Sequence, residues 1–297
     1  MNILVTLNSN YLHPLRVMLW SMFFNNREGS FHIFLMHSSI PPEDVDALRR
    51  FVVENGHQLS ELKVREESFQ DAPVPLHYTK EMYYRLLAFR FLPERLDRIL
   101  YLDPDILVIN SIAELYHTEM GDHLFAAAYH KNMPVKELNK FRLKAYEMEE
   151  YYNSGVLLMN LALQREKIRE EEIYEFVSQN KSRLVLPDQD ILNVLYAKEI
   201  KRIDELKYNY DTRYYLHNKL VSSGTIDMEY IMRHTSILHF CGKKKPWLKN
   251  YNGKFYSLYK HYETLTLRFN GPPEQKKALP RADYVPFSVC RHTSTSH

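Results

Sequence analysis

The chain has 297 residues, 45% of them hydrophobic, enough to bury a large core as one extended domain or as one domain with an appendage. Its 39 basic and 37 acidic residues nearly cancel, to a formal charge of +2, which argues against a dedicated nucleic-acid binder with Lys and Arg gathered on one face. Two cysteines, Cys241 and Cys290, provide neither a disulfide framework nor a four-ligand zinc site and fit a reduced, cytoplasmic environment.

The opening MNILVTLNSN turns polar after a short apolar run, without the charged and long apolar regions of a signal peptide. No later stretch is apolar for long enough to span a bilayer. Residues 3–7 read as a buried strand, followed by the polar loop Asn8-Ser9-Asn10. Leu15, Met18, Leu19, Met22 and Phe23 then recur at helical spacing. Residues 31–36 form a second strand, and Pro41 and Pro42 open a helix with Val45, Leu48 and Val52 on one face. A weaker strand is expected at 62–65, a helix from about Thr79 to Phe91, and a strand at 98–102 that runs into an acidic triplet. Residues 124–129 and 155–160 read as buried strands, 164–180 and 188–197 as helices, and 237–240 as the last strand. From Lys249 the composition turns basic and aromatic. Residues 270–297 are rich in Pro, Ser and Thr and are expected to form a loosely ordered tail, so the chain divides into a unit at 1–248 and a segment at 249–297.

Alternation of strands and helices with short loops is the pattern of an α/β fold, a mostly parallel sheet between helical layers. Ligands bind such sheets beyond the carboxyl ends of the strands. The two most polar loops, 8–10 and 103–105, follow strands in this way.

The strongest single motif is Tyr101-Leu102-Asp103-Pro104-Asp105. In an extended chain Asp103 and Asp105 project to one side and reach one cation, and Pro104 suits the end of a strand. An isolated D-x-D is more often a solvated turn; the buried strand leading into it favours a site. A magnesium or manganese ion shared with substrate phosphates suits two carboxylates, and an imidazole from His239 would favour manganese over calcium. After His239 comes Phe240-Cys241-Gly242-Lys243-Lys244-Lys245-Pro246-Trp247, a loop able to meet phosphate, in which Pro246 restricts the backbone of Lys245. Pro187-Asp188-Gln189-Asp190 reads locally as a helix start, with Asp188 as cap and Asp190 favoured by the dipole. Asn153-Ser154-Gly155 reads locally as a turn. Arg85, among Met82, Leu86 and Phe89, needs an acidic partner or exposure.

Taken in order, ILVTLNSNYL, YYRL, YLDPDILV, NSGVLLMNL, PDQDILN and HFCGKKKPW resemble glycosyltransferase family 8, over about residues 1–262. This retaining family includes bacterial lipopolysaccharide galactosyl- and glucosyltransferases and glycogenin. The resemblance implies a GT-A (Rossmann-like) fold, a UDP-glucose or UDP-galactose donor, and a glycan or glycolipid acceptor. It implies Mn2+ (or Mg2+) held by Asp103, Asp105 and His239. By the same carry-over Thr6, Asn8 and Tyr11 line the uridine pocket, Arg85, Asn153, Asp188 and Gln189 surround the donor sugar, and Gly242 and Lys245 meet the phosphates. Asn8 departs from the acidic residue that many relatives carry. Bacterial members tend to sit on membranes through a basic, aromatic C-terminal segment, with which residues 249–262 are compatible; an ordinary amphipathic helix fits them equally.

Retaining hydrolases use a carboxylate nucleophile. Here the resemblance puts Gln189, a poor nucleophile, on the relevant sugar face, which favours front-face attack with Asp188 positioning the sugar and Asp190 as the fallback nucleophile. Two alternatives stand beside this reading. One is a phosphatase of the haloacid dehalogenase type, which uses D-x-D near its N-terminus with Thr or Val where Leu107 stands. The other is a non-catalytic nucleotide-sugar-binding module.

Overall fold

The computed structural model describes residues 1–69, 72–73, 80–129 and 150–269. Seven strands form the main sheet in the order β3-β2-β1-β4-β7-β6-β8. They are β1 (Asn2–Thr6), β2 (His32–His37), β3 (Gln58–Lys63), β4 (Arg98–Leu102), β6 (Phe125–Tyr129), β7 (Tyr152–Asn160) and β8 (Ile200–Ile203). Three more, β5 (Ile106–Val108), β9 (Tyr210–Asp211) and β10 (Ile237–His239), make a small sheet in the order β5-β10-β9. In the main sheet only β7 opposes its neighbours, β4 and β6; the other pairings are parallel. This is the α/β, mostly parallel sheet that the strand–helix alternation predicts.

The strands are apolar on both faces because helical layers cover both. Alternate residues part between two cores. Ile3, Val5, Leu100 and Leu102 join the helix Leu12–Asn25 on one side, whereas Leu4, Ile99 and Tyr101 join Tyr83, Leu86 and Ile191 on the other. Among the described residues no helix is long and apolar enough to cross a membrane.

Several local expectations give way to packing. The helix expected from Thr79 to Phe91 is instead two 3-10 turns, Lys80–Tyr83 and Ala88–Arg90, with Thr79 outside the described residues. Met82, Tyr83, Tyr84, Leu86, Leu87 and Ala88 are all buried, and the short turns pack this run against the second core while Arg85 reaches the site. The helix expected at 164–180 breaks at Ile168 and Arg169, both extended, into Leu161–Lys167 and Glu170–Asn180. Buried Ile168 anchors the break. The strand expected at 62–65 runs earlier, as β3, and Asn153-Ser154-Gly155 is the start of β7 rather than a turn. Beyond residue 249 comes the helix Tyr256–Phe269. Phe255, Tyr259 and Tyr262 turn inward to the main core, so the aromatic face of that segment is largely covered. The tail expected at 270–297 lies outside the described residues.

The strand order turns back between β1 and β4, and the crevice at this switch point is where ligands meet such sheets. Because β7 runs against β4, its first residues arrive at the same edge: Leu102 pairs with Val156, and the Asp103 amide donates to the Gly155 carbonyl at 2.8 Å.

Candidate active site

Asp103, Asp105 and His239 converge where the two sheets meet, offering ligand atoms that all lie within 4.8 Å of one another. Asp103 caps β4 of the main sheet. The chain then turns at Pro104-Asp105 into β5, so the motif is not extended as the alternation argument requires; the turn itself brings the second carboxylate round. His239 enters from the neighbouring strand β10, in register with Ile106. Its Nε2 lies 3.2 Å from Asp105 Oδ1 and 3.8 Å from Asp103 Oδ2.

The imidazole is fixed from behind by a chain of hydrogen bonds whose direction can be read. The Gly155 amide donates to Asn153 Oδ1 at 2.8 Å, which makes that oxygen an acceptor. Asn209 Nδ2 donates to the same oxygen at 2.8 Å, so Asn209 Oδ1 is the atom that faces His239 Nδ1 at 2.8 Å. Nδ1 therefore carries a proton, and Nε2 is presented to the carboxylates. Asn209 is wholly buried. Gly155 completes the arrangement by its lack of a side chain: a Cβ there would stand 2.3 Å from His239 Cε1 and 2.6 Å from Asp103 Oδ2. Two carboxylates, one oriented imidazole and the space kept clear by Gly155 fit a divalent cation with open positions for phosphate oxygens. Asn209→Leu is expected to weaken Mn2+ binding about 10–100-fold in titration calorimetry. Unchanged affinity would mean the ring is oriented by something else.

A second network lies on the other side of Asp103. The Arg85 guanidinium is 3.1 Å from Asp103 Oδ1 and 3.1 Å from Asp188 Oδ2, bonds the Ser154 carbonyl at 3.0 Å and lies over the Tyr101 ring. Burial works against its charge, and Asp103 and Asp188 hold it. The Tyr101 hydroxyl, kept neutral by burial, donates to Asp103 Oδ1 at 2.5 Å and lies 3.1 Å from Thr6 Oγ1. Lys245 reaches Asp105 Oδ2 and the Phe240 carbonyl. Burial would raise the Asp105 carboxyl, yet His239 and Lys245 hold it well below the usual carboxylate range.

The structure therefore brings together Asp103, Asp105, His239, Arg85, Asp188, Lys245 and, through Asn209, Asn153. Thr6 joins them through Tyr101. Tyr11 packs edge-on against Trp247, 5.9 Å between centroids. Asn8 turns its side chain back onto the Asn10 amide and caps the turn that carries Tyr11. Gln189, half-buried, follows Asp188 on the helix Pro187–Tyr196. Asp188 is not the cap of that helix; the cap position is Leu186, and Asp188 points to Arg85 and Ser154 instead.

Asp190 does the local work. Wholly buried, it accepts from the Tyr151 hydroxyl at 2.6 Å and from the Val185 and Leu186 amides at 2.9 and 3.1 Å. Asp190→Ala is expected to cost about 3 kcal/mol, because three donors lose a buried acceptor. A urea-denaturation midpoint equal to that of the wild type would contradict this role. Sequence reasoning gives no role to Asn209, Tyr101 or Ser154. Tyr101 and Ser154 belong to quoted motifs, whereas nothing local distinguishes Asn209 among polar loop residues.

The mostly parallel sheet, with an acidic pair and a histidine at its switch point, has a GT-A arrangement. The same fold is found in a galactosyltransferase, LgtC, solved with donor and acceptor sugar analogs, at a TM-score of 0.75 and 23% identity, over 94% of this chain and 100% of that one. Residues 2–251 match the model of glycosyl transferase family 8, and the chain belongs to that family. It is 26% identical to general stress protein A of Bacillus subtilis (strain 168), over 90% of this chain and 94% of that protein. It is also 26% identical to the lipopolysaccharide 1,2-glucosyltransferase of Escherichia coli (strain K12), over 84% of this chain and 73% of the relative. With the lipopolysaccharide 1,3-galactosyltransferase of Salmonella typhimurium it shares 24% identity, over 83% and 72% respectively. This membership displaces the haloacid dehalogenase alternative.

Proposed function

We propose that the chain is a retaining hexosyltransferase that moves glucose or galactose from a UDP-sugar to an acceptor hydroxyl, in a cell-envelope glycan or glycolipid. Its metal would be manganese ahead of magnesium, since an imidazole stands beside the two carboxylates. The observation that carries the reading is the convergence of Asp103, Asp105 and His239 beside the Arg85–Asp188 pair. Asp103, Asp105 and His239 would hold the ion. When bound, it supplies positive charge against a departing diphosphate.

The chain's own residues do the rest. Lys245, on the Gly242 loop, offers an ammonium to the same phosphates. Thr6, Asn8 and Tyr11 stand at the carboxyl end of β1, where the uridine would lie. Arg85 and Ser154 set Asp188 in place for the sugar, and Asn153 acts from the other side, through Asn209, on His239. Asp190 is committed to the loop before its helix, which takes away the fallback nucleophile and supports front-face attack, with Gln189 on the sugar face as the resemblance implies, over a covalent carboxylate intermediate. We place the catalytic unit at 1–248, in the cytoplasm, with peripheral membrane contact through residues 249–262, where Lys249, Lys254 and Tyr256 are exposed while Phe255, Tyr259 and Tyr262 pack into the main core.

UDP release from UDP-glucose and UDP-galactose, with Mn2+ and with a chelator, tests the reading. Metal-dependent release supports it; tight UDP-sugar binding without release would point to a non-catalytic module. Asp188→Asn and Gln189→Ala are each expected to lower kcat about 10²-fold with little change in donor binding. Turnover equal to the wild type in either variant would remove that residue from the mechanism.

A further inference from the structure

We infer that Arg213, Lys243 and Lys244 form an acceptor subsite for an anionic group, a phosphate or a carboxylate, carried next to the attacking hydroxyl. The inference rests on the transferase reading above and adds to it the chemical class of the acceptor.

Asp211 on β9 stands in register with His239 on β10, so both side chains leave the small sheet on the same face. The Asp211 side chain is only 3% exposed, whereas that of Arg213 is 46% exposed. Asp211 Oδ1 accepts from the Arg213 amide and from Nε, each at 3.0 Å, and Oδ2 accepts from Nη2 at 2.6 Å. An ion pair on the surface ordinarily lets an arginine swing. Here a buried carboxylate grips both the backbone and the fork, and the guanidinium is held in one plane. The grip takes Nε and Nη2 and turns Nη1 to Gly242, 2.9 Å from where a Cβ would stand. Gly242 has φ +83°, a conformation that favours glycine, so the loop gives the guanidinium room by having no side chain. Lys243 and Lys244 follow directly and are exposed.

Arg213 stands across β10 from the groups assigned to the nucleotide. In the small sheet β10 separates β9 from β5. Asp105 and its partner Lys245 lie on the β5 side, and Lys245 lies over Trp247, which packs on Tyr11. Arg213 lies on the β9 side, across His239 from them. In this reading Lys245 and a metal answer the donor's diphosphate, and Asp211 balances Arg213, so the exposed Lys243 and Lys244 remain as excess positive charge on the loop that starts at Gly242 beside Arg213. The edge of the guanidinium that the clamp does not take, Nη1 with the second N–H of Nη2, is held in a fixed plane and can donate to an oxyanion.

The test compares three sugars as ligands of the full chain with Mn2+ and UDP: methyl α-glucoside, glucose 6-phosphate and glucuronic acid, each titrated at low and high salt. The two anionic sugars are expected to bind about tenfold more tightly than the neutral one, the size of one charge-assisted hydrogen bond. The gap should narrow at high salt. Arg213→Gln should bring the anionic-to-neutral affinity ratio close to one. The double variant Lys243→Gln/Lys244→Gln, which leaves the buried Asp211 clamp intact, should lower the ratio too and keeps the test open if Arg213→Gln folds poorly. Equal binding of all three sugars, no binding of any, or a ratio unchanged in both variants would overturn the subsite. So would an Arg213→Gln variant that loses UDP as strongly as it loses the anionic sugars. Absence of UDP release by the wild type sinks the transferase reading itself, whereas normal release without anion preference sinks only this inference.

Discussion

Asp105→Asn is expected to lower metal-dependent UDP release from a UDP-sugar by about 10²–10³-fold. The substitution keeps the side chain's shape and removes its charge, at the one carboxylate that both His239 and Lys245 approach. Two effects follow, and they can be separated. The first is on the ion: a site of two carboxylates and an imidazole falls to one carboxylate and an imidazole, and Mn2+ affinity drops with the rate. The second is on the fold: the His239 and Lys245 cations lose a buried counter-ion, a loss of about 3 kcal/mol where a partner is removed from a buried pair. Lys245 keeps the Phe240 carbonyl, which limits that loss. The variant should therefore melt several degrees lower yet cooperatively, and it should lose the Mn2+-dependent rise in melting point that is expected of the wild type. Full UDP release by a folded Asp105→Asn protein would remove this residue from the metal site.

Gly155→Ala is the second large effect, and it comes from the smallest possible addition. The new methyl would overlap His239 Cε1 and Asp103 Oδ2. Side-chain atoms can often step aside, but these two are held: His239 by Asn209, and Asp103 by Arg85 and the Tyr101 hydroxyl. Relief requires either moving a ligand or bending β7, whose carbonyl at 155 accepts from the Asp103 amide. Overpacking of this kind costs about 1–3 kcal/mol. The expected result is Mn2+ affinity lower by about 10²-fold, with the rate of UDP release following it and a melting point lower by a few degrees. Wild-type Mn2+ affinity in Gly155→Ala would show that the space beside the ligands is not needed.

Much of this site was legible as chemistry in the sequence and much less as geometry. Asp103, Asp105 and His239 could be picked out because each follows a buried apolar run, and such runs report where a strand ends. Arg85 could be picked out because a charge amid Met82, Leu86 and Phe89 demands a partner. Its partners, Asp103 and Asp188, are 18 and 103 residues away, and no local pattern reports them. Asn209 was missed for the same reason: its role exists only once β9 lies beside β10. Asp188 and Asp190 show how a local rule divides wrongly. Both suit a helix start, and tertiary contacts gave the first to Arg85 and the second to the preceding loop. In the fold, β1, β2, β4, β6 and β7 were read from unbroken apolar runs. The 80–90 segment failed because helical spacing among so many apolar residues carries no information about which of them face inward.

The placement of Asp103 on one sheet and of Asp105 and His239 on the other has a mechanical side. The ligand set straddles a seam, and a cation drawn to all three would act as a rivet between two plates that are also joined here by the turn at Pro104-Asp105, by the Asn209–Asn153 hydrogen bond and by side-chain packing. Loosening the seam and dismantling the catalytic centre would then be one event, so that substitutions far from any substrate, in β5, β9 or β10, could silence the enzyme by letting the plates slide.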